Sequence, residues 1–457
     1  MTPSVYPRGT TIYYPDKCWN GFTLFQATLF QKNDVGAVLI DMNGGVVNRW
    51  RGLDGMPNKM LPGGSVMGST GCRNPKYGYQ DMLDLVEVDW EGRIVWQFDR
   101  YERVKDPSQP PRWMARQHHD YQREGNPVGY YVPGMEPRSY RDGKTLILCH
   151  KNLTDLRISG HPLVDDTMIE VDEKGKIIWE WTCSEHFDEL GFDEAAKNTL
   201  SRNPDLVLNS SAGDWMHINS MSTLGTNRWY DAGDTRFHPD NIIWDSRQAN
   251  IIAIIDKKTG KIIWQLGPYF TATEALRKLG QIIGQHHAHM IPRGLPGEGN
   301  ILVFDNGGRA GYGAPNPGAP TGLSNAIRDH SRVLEFNPLT LEIAWQYPPR
   351  GSGSLYSSFV SSAQRLPNGN TLITEGQGGR LLEVTPQGEI VWEYLSPYTQ
   401  KKRPMNMVYR AYRVPYDWVP QVERPLETAV PRLDNNIFRV PGSTLKKPLK
   451  VTKVSKR

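Results

Sequence analysis

Cysteine is scarce in this chain, and the few copies present are scattered. Cys18, Cys72, Cys149 and Cys183 are the whole complement in 457 residues, with no Cys-x-x-Cys pair. That argues against a disulfide frame or a thiolate zinc site and leaves buried thiols as the expectation. Long hydrophobic runs are missing too: no segment approaches the ~20 apolar residues of a membrane span. Residues 1–9 lack the basic-then-apolar pattern of an export signal, so a cytoplasmic location is expected. Neither sign of charge dominates. With 53 basic against 49 acidic residues, no nucleic acid and no membrane is expected as a partner. The chain end is the exception. Lys446, Lys447, Lys450, Lys453, Lys456 and Arg457 form a basic tail, read as a solvated flexible end.

What the chain has in abundance is one short phrase, repeated six times. A run ends in an acidic or polar residue, a tight turn follows, and an aliphatic pair leads to Trp. The copies place their first aliphatic at Val46, Ile94, Ile177, Ile262, Ile343 and Ile390, and Trp at Trp50, Trp96, Trp179, Trp264, Trp345 and Trp392. Successive copies are therefore 48, 83, 85, 81 and 47 residues apart. Each reads as a hairpin feeding a β-branched, aromatic-ended strand. Self-similarity at this spacing predicts an all-β six-bladed propeller, the long steps carrying insertions. Residues 184–200 and 273–279 have helical spacing, and 306–325 reads as a Gly/Pro-rich loop.

The segment Val408-Tyr409-Arg410-Ala411-Tyr412-Arg413-Val414-Pro415 resembles the innermost strands of other blades, yet no hairpin follows it. The first blade, near 22–50, lacks such a strand. The C-terminal strand is therefore expected to complete the N-terminal blade and close the ring. The propeller is expected over 1–418, with 419–457 as a C-terminal extension.

Histidine placement is the second signal. Of eleven His, six fall on or beside predicted innermost strands: His118, His119, His217, His286, His287 and His289. Three neighbouring blades would point imidazoles at one channel mouth, where Arg247, Arg309, Arg410 and Tyr412 also fall. Guanidinium groups hold oxyanions by forked hydrogen bonds, so His with Arg at a channel suggests an anionic substrate or a developing anionic charge.

Several segments resemble the bacterial arylsulfate sulfotransferase family. Gly213-Asp214-Trp215-Met216-His217-Ile218-Asn219-Ser220 resembles its Asp-Trp-x-His-x-Asn-Ser motif. Gln285-His286, with the Phe304-Asp305-Asn306-Gly307 loop and Arg309, resembles its Gln-His strand and following Arg. Further likeness lies at Gln364–Leu372, at Tyr409–Tyr412 and near the N-terminus, so it covers most of 9–418. The resemblance implies sulfuryl transfer between an aryl sulfate and a phenol through a sulfated His, with His217, His286 and Arg309 stabilising the sulfate. On that reading no cofactor is required and the partner is a small aryl substrate. The chain departs from the family at a late blade. There it reads Tyr356-Ser357-Ser358-Phe359-Val360-Ser361-Ser362, with no His to serve as the covalent acceptor. His119 is the candidate substitute. His118, Asn219, Arg247, Tyr356, Arg410 and Tyr412 are the candidate substrate-binding residues.

Two other chemistries compete. His119, His217, His287 and His289 could ligate a divalent metal ion, since neutral imidazole suits first-row ions and His287 and His289 share a strand face. A metal-dependent lyase or hydrolase would follow. A non-catalytic binding propeller is the third reading, because fold does not imply function.

Overall fold

Each copy of the repeated phrase becomes the outer hairpin of one sheet. In the computed structural model, which describes residues 8–27, 35–78, 80–204, 213–349, 355–399 and 406–433, six antiparallel sheets of four strands form the blades of a propeller. The innermost strands are Ala411–Val414, Lys59–Met60, Gln117–Arg123, Ile218–Thr223, His286–Met290 and Ser362–Arg365, for blades one to six. Middle strands such as Ile251–Ile255 are buried throughout, because each blade is covered on both faces by its neighbours. Outer strands such as Ile94–Phe98 bury alternate residues only.

The repeated phrase has a physical reason at two points. In all six blades the register slips by one residue just before the outer hairpin, at Ile40, Val88, Val171, Ile255, Phe336 and Val384. Such a bulge sharpens the twist that lets neighbouring blades nest. The Trp then ties each blade to the next. Trp50 Nε1 donates to Asp89 O, Trp179 to Lys257 O, Trp264 to Pro338 O and Trp345 to Pro386 O. Trp392 completes the circle by donating to Met42 O of the first blade at 2.7 Å. Trp96 departs from the pattern: its ring is covered by the Arg123 guanidinium of the third blade. Gly in the turn takes a left-handed backbone at Gly44, Gly92, Gly175, Gly260 and Gly388, and in the fifth copy Leu341 accepts φ 61°.

The ring closes as expected. Ala411–Val414 pairs with Phe22–Gln26, Val414 opposite Phe22 and Tyr412 opposite Leu24. A second closure comes from the N-terminus, whose strand Gly9–Tyr13 adds a fifth strand to the sixth blade against Ile390–Leu395. The segment after the propeller returns over this seam: Tyr13 and Val430 exchange backbone hydrogen bonds of 2.7 and 2.9 Å. The apolar seam holds Phe25, Val38 and Ile40 from blade one against Leu372, Leu381 and Trp392 from blade six.

The expected helical insertions form a 3-10 turn at Cys183–Glu189 and the helices Glu194–Arg202 and Glu274–Leu279. The loop expected at 306–325 contains a small hairpin, Ala310–Tyr312 with Leu323–Ala326. All four cysteines are free thiols. Among the described residues no helix is long and apolar enough to cross a membrane. The basic tail lies outside the described residues.

Truncation after residue 405 is expected to abolish the cooperative unfolding transition in calorimetry, because it removes the inner strand of blade one. Trp392→Phe keeps the ring but loses the seam hydrogen bond, and should lower stability by about 1 kcal/mol in urea titration.

Candidate functional site

Three inner strands begin with a bulge, and that irregularity aims the histidines. Register slips between Gln117 and Tyr121, between Ile218 and Ser220, and between His286 and His289. His119, His217 and His287 hold left-handed backbone at φ 52°, 52° and 58°. For a residue with a Cβ this costs roughly 1–3 kcal/mol, strain that gathers where geometry serves function.

At the mouth the His119 ring lies 4.6 Å from His217 and 5.6 Å from Tyr409, edge to face. His286 lies 6.5 Å from Tyr409 on its other side. His217 Nδ1–H donates to Asp214 Oδ2 at 2.5 Å. Burial alone would raise the Asp214 carboxyl, but the charge and hydrogen bond of His217 bring it below its ordinary value. The Asp214 carboxylate thus orients the His217 ring through Nδ1. His217 is 5 % exposed and His119 2 %, so only ring edges reach the mouth.

Behind His119 runs a second chain of contacts. His119 Nδ1 and His118 Nδ1 are 2.8 Å apart, so one of the two nitrogens carries the proton between them. His118 stacks on His150 at 3.6 Å and points Nε2 at Asp166 Oδ1, 3.2 Å away. His150 Nδ1–H donates to Asp81 Oδ1 at 2.6 Å, and Asp81 Oδ2 is held by Arg116 and Arg73. Burial pulls Asp81 upward, yet Arg116, His150 and Arg73 outweigh it and keep it ionised. Burial drives His118 down to about 3 and Asp166 up to about 7.

Further along the axis the channel is filled. Asp120 bonds Lys59 Nζ at 2.6 Å through one oxygen and Arg410 at 2.8 Å through the other. Arg410 also donates to Asn219 O and approaches the Tyr412 hydroxyl. These side chains are all buried.

The structure therefore sorts the sequence candidates. It brings His119, His217 and His286 around Tyr409. His286, however, donates through Nδ1 to Asn306 Oδ1 and accepts Val360 N–H at Nε2. Both nitrogens are taken, which makes it a strut holding the start of the sixth inner strand rather than a group for substrate. Arg309 is exposed, and its carbonyl receives the Arg247 guanidinium. Arg247 is the nearer cation: its backbone N–H donates to His217 O, and its charge lowers the basicity of His286. Tyr356 sits exposed. Asn219, Arg410 and Tyr412 belong to the filled channel, and His118 to the buried chain behind His119.

The metal quartet of His119, His217, His287 and His289 does not converge. His289 spends Nδ1 on His287 O and Nε2 on Tyr130 OH, and His287 spends Nδ1 on Ala363 O. Burial, with the Arg410 charge adding to it, also depresses both His287 and His289. Among the described residues the donors that do gather are His118, His150 and Asp166, within 4.8 Å of one another.

Sequence reasoning missed His150, Asp166, Asp81, Asp214 and Tyr409. Asp214 and Tyr409 lay inside segments already singled out. His150 and Asp166 sit on the two middle strands of the third blade and Asp81 between the middle strands of the second, where only the fold brings them together behind the mouth.

This combination of a mouth lined by Asp-backed histidine and a six-bladed ring accompanies a family match. The chain belongs to the arylsulfotransferase (ASST) family. That family's model matches residues 138–410, which include His217, His286, Arg309 and Arg410. Nothing matches among curated sequences. Similar solved structures include a protein of unknown function from Bacteroides caccae, at 11% identity, 86% of this chain, 99% of that chain and TM-score 0.45. Virginiamycin B lyase from Staphylococcus aureus shares 10% identity over 85% of this chain and 87% of that one, with TM-score 0.35. The Myceliophteria thermophila Cps50 (Swd1) β-propeller domain shares 9% over 88% and 90%, with TM-score 0.32. These likenesses carry no functional inference.

Arg410→Ala leaves one oxygen of buried Asp120 without its charged partner while Lys59 still holds the other. It is expected to cost about 3–5 kcal/mol in urea unfolding, the range for breaking a buried ion pair on one side.

Proposed function

We propose that this arylsulfotransferase-family protein is an enzyme that moves a sulfuryl group from an aryl sulfate to a phenol, with His217 as the covalent acceptor. The observation that carries the reading is the 2.5 Å Asp214–His217 hydrogen bond facing His119 at the mouth. A nucleophilic side chain oriented by a second group, itself beside a proton donor, is the recurring arrangement for covalent transfer. This reverses the expectation that His119 accepts and His217 stabilises. A carboxylate on Nδ1 raises the basicity of an imidazole, whereas His119 has only the neutral His118 behind it.

The Nε2 lone pair of His217 attacks sulfur, forming an N–S bond as the aryl S–O bond breaks. The electron pair leaves with the phenolate. With the shared proton assigned to His118 Nδ1, His119 carries Nε2–H, and the hydrogen bond from it stabilises the leaving phenolate oxygen without transferring the proton. Arg247 balances the negative charge on the sulfuryl oxygens. In the second half, the acceptor enters as its phenolate, held by the same His119 Nε2–H, and attacks sulfur. The N–S bond breaks and its electron pair returns to His217.

The test is transfer from 4-nitrophenyl sulfate to phenol, with peptide mapping for sulfated histidine. His217→Ala should lower turnover ~100-fold or more, and Asp214→Asn should weaken it with the fold intact. Arg247→Lys should cost more than Arg309→Lys, because a point charge cannot replace the fork next to His217. No transfer across a broad donor and acceptor panel would sink the reaction. An adduct on His119 would overturn the assignment of acceptor.

A further inference from the structure

We propose that His118, His150 and Asp166 form a binding site for one divalent first-row transition ion, buried in the third blade behind the mouth. Three side chains from three adjacent strands meet there. His118 lies on Gln117–Arg123, His150 on Thr145–Leu153 and Asp166 on Leu163–Val171. His150 and Asp166 are direct cross-strand partners. The donors thus stand on a rigid sheet, not on a loop.

The converging atoms are His118 Nε2, His150 Nε2 and Asp166 Oδ1. Each is buried and has no hydrogen-bond partner, although buried polar atoms are as a rule satisfied. Nε2 of His118 is 3.2 Å from Asp166 Oδ1, and Nε2 of His150 is 3.9 Å from it. Ligands of a tetrahedral zinc ion at about 2.0–2.1 Å stand roughly 3.3 Å apart; the His118 and His150 rings, stacked at 3.6 Å, must tilt out of parallel to aim both lone pairs at one ion.

The opposite end of every donor is already tied. His150 Nδ1–H donates to ionised Asp81, which leaves the Nε2 lone pair facing Asp166. Asp166 Oδ2 accepts Ile218 N–H at 3.1 Å, which turns Oδ1 inward. His118 Nδ1 meets His119. Metal-bound histidines show this outer support, a carboxylate on the far nitrogen above all. Two imidazoles and one carboxylate, without thiolate, suit zinc or ferrous iron over magnesium or calcium. Asp166, and Asp214 whose charge acts on it, supply the negative field for a dication.

The ion also sets a proton. With metal on His118 Nε2, His118 keeps its hydrogen on Nδ1 and donates it to His119, so His119 presents Nε2–H to the mouth. This last consequence rests on the transfer reading; the site itself does not. The rival occupant is a single proton shared by His118 and Asp166.

The experiment is elemental analysis of full-length protein after gel filtration, followed by chelator treatment and titration with Zn²⁺ or Co²⁺ alone. About one ion per chain is expected, with a visible Co²⁺ absorption of low-coordinate N/O type. His150→Ala and Asp166→Asn should abolish binding while circular dichroism stays that of the parent. Asp81→Asn should weaken affinity ~10–100-fold without changing stoichiometry. If the two ligand variants fail to fold, the Co²⁺ spectrum and the Asp81→Asn titration still decide. Protein that holds no metal and binds neither ion after chelation overturns the site in favour of the shared proton. Stoichiometric metal retained in both ligand variants overturns it too. Bound metal without sulfuryl transfer upholds the site and sinks only the transfer reading.

Discussion

The hydrogen-bonded seam between Ala411–Val414 and Phe22–Gln26 is the interaction on which the rest of this protein depends. It joins positions almost the whole chain apart, yet length is a weak obstacle: each doubling of a loop adds only about 0.6 kcal/mol to its closure. A four-residue strand suffices because its neighbours are already built and the seam is apolar on both sides. The same strand carries Arg410 to the axis, where Asp120 and Lys59 from the third and second blades meet it. Closing the ring and filling the channel are one event.

On the proposed transfer reading, chemistry belongs at the mouth that carries the histidines. Lys59, Asp120 and Arg410 form buried ion pairs on the axis, and the rings of His119, His217 and Tyr409 gather where three inner strands begin. An open groove of about 470 Å³ at the other ends of the same strands is lined by Gln122, Thr223 and Lys257 and lacks histidine. The histidines and this groove therefore lie at opposite ends of the strands. The histidines decide the assignment, since a cavity without a nucleophile or a placed proton performs no transfer.

Proton accounting links the mouth to the buried group behind it. Burial keeps His118 and His119 neutral, while Arg116 and Arg73 keep Asp81 charged. In such a setting a carboxylate on the far nitrogen determines which lone pair each imidazole shows. Asp214 does this for His217 and Asp81 for His150. His118 faces the Asp166 carboxylate through Nε2 and shares one proton with His119 between their Nδ1 atoms.

Much of the fold was legible in residue order. Period-two strands, turn residues and a repeated Trp specify blades locally, because bulge, turn and tie all lie within a few residues of one another. The strand at 408–415 could be matched to its siblings by the same local grammar, whereas the short N-terminal strand Gly9–Tyr13 carried no such copy and went unseen. The histidine strands were legible for the same reason, and His119 and His217 do share the mouth. Their roles were not. Whether an imidazole binds substrate, braces a loop as His286 does, or faces a buried carboxylate depends on what packs against its second nitrogen. Those partners, Asp214, Val360 N–H, Asp81 and Asp166, come from neighbouring strands and blades. The sequence by itself determined six blades and which strands bear histidine, since these follow from near-neighbour periodicity. Only the tertiary structure decided which nitrogen of each ring is occupied, because a hydrogen bond is set by distance and direction in space.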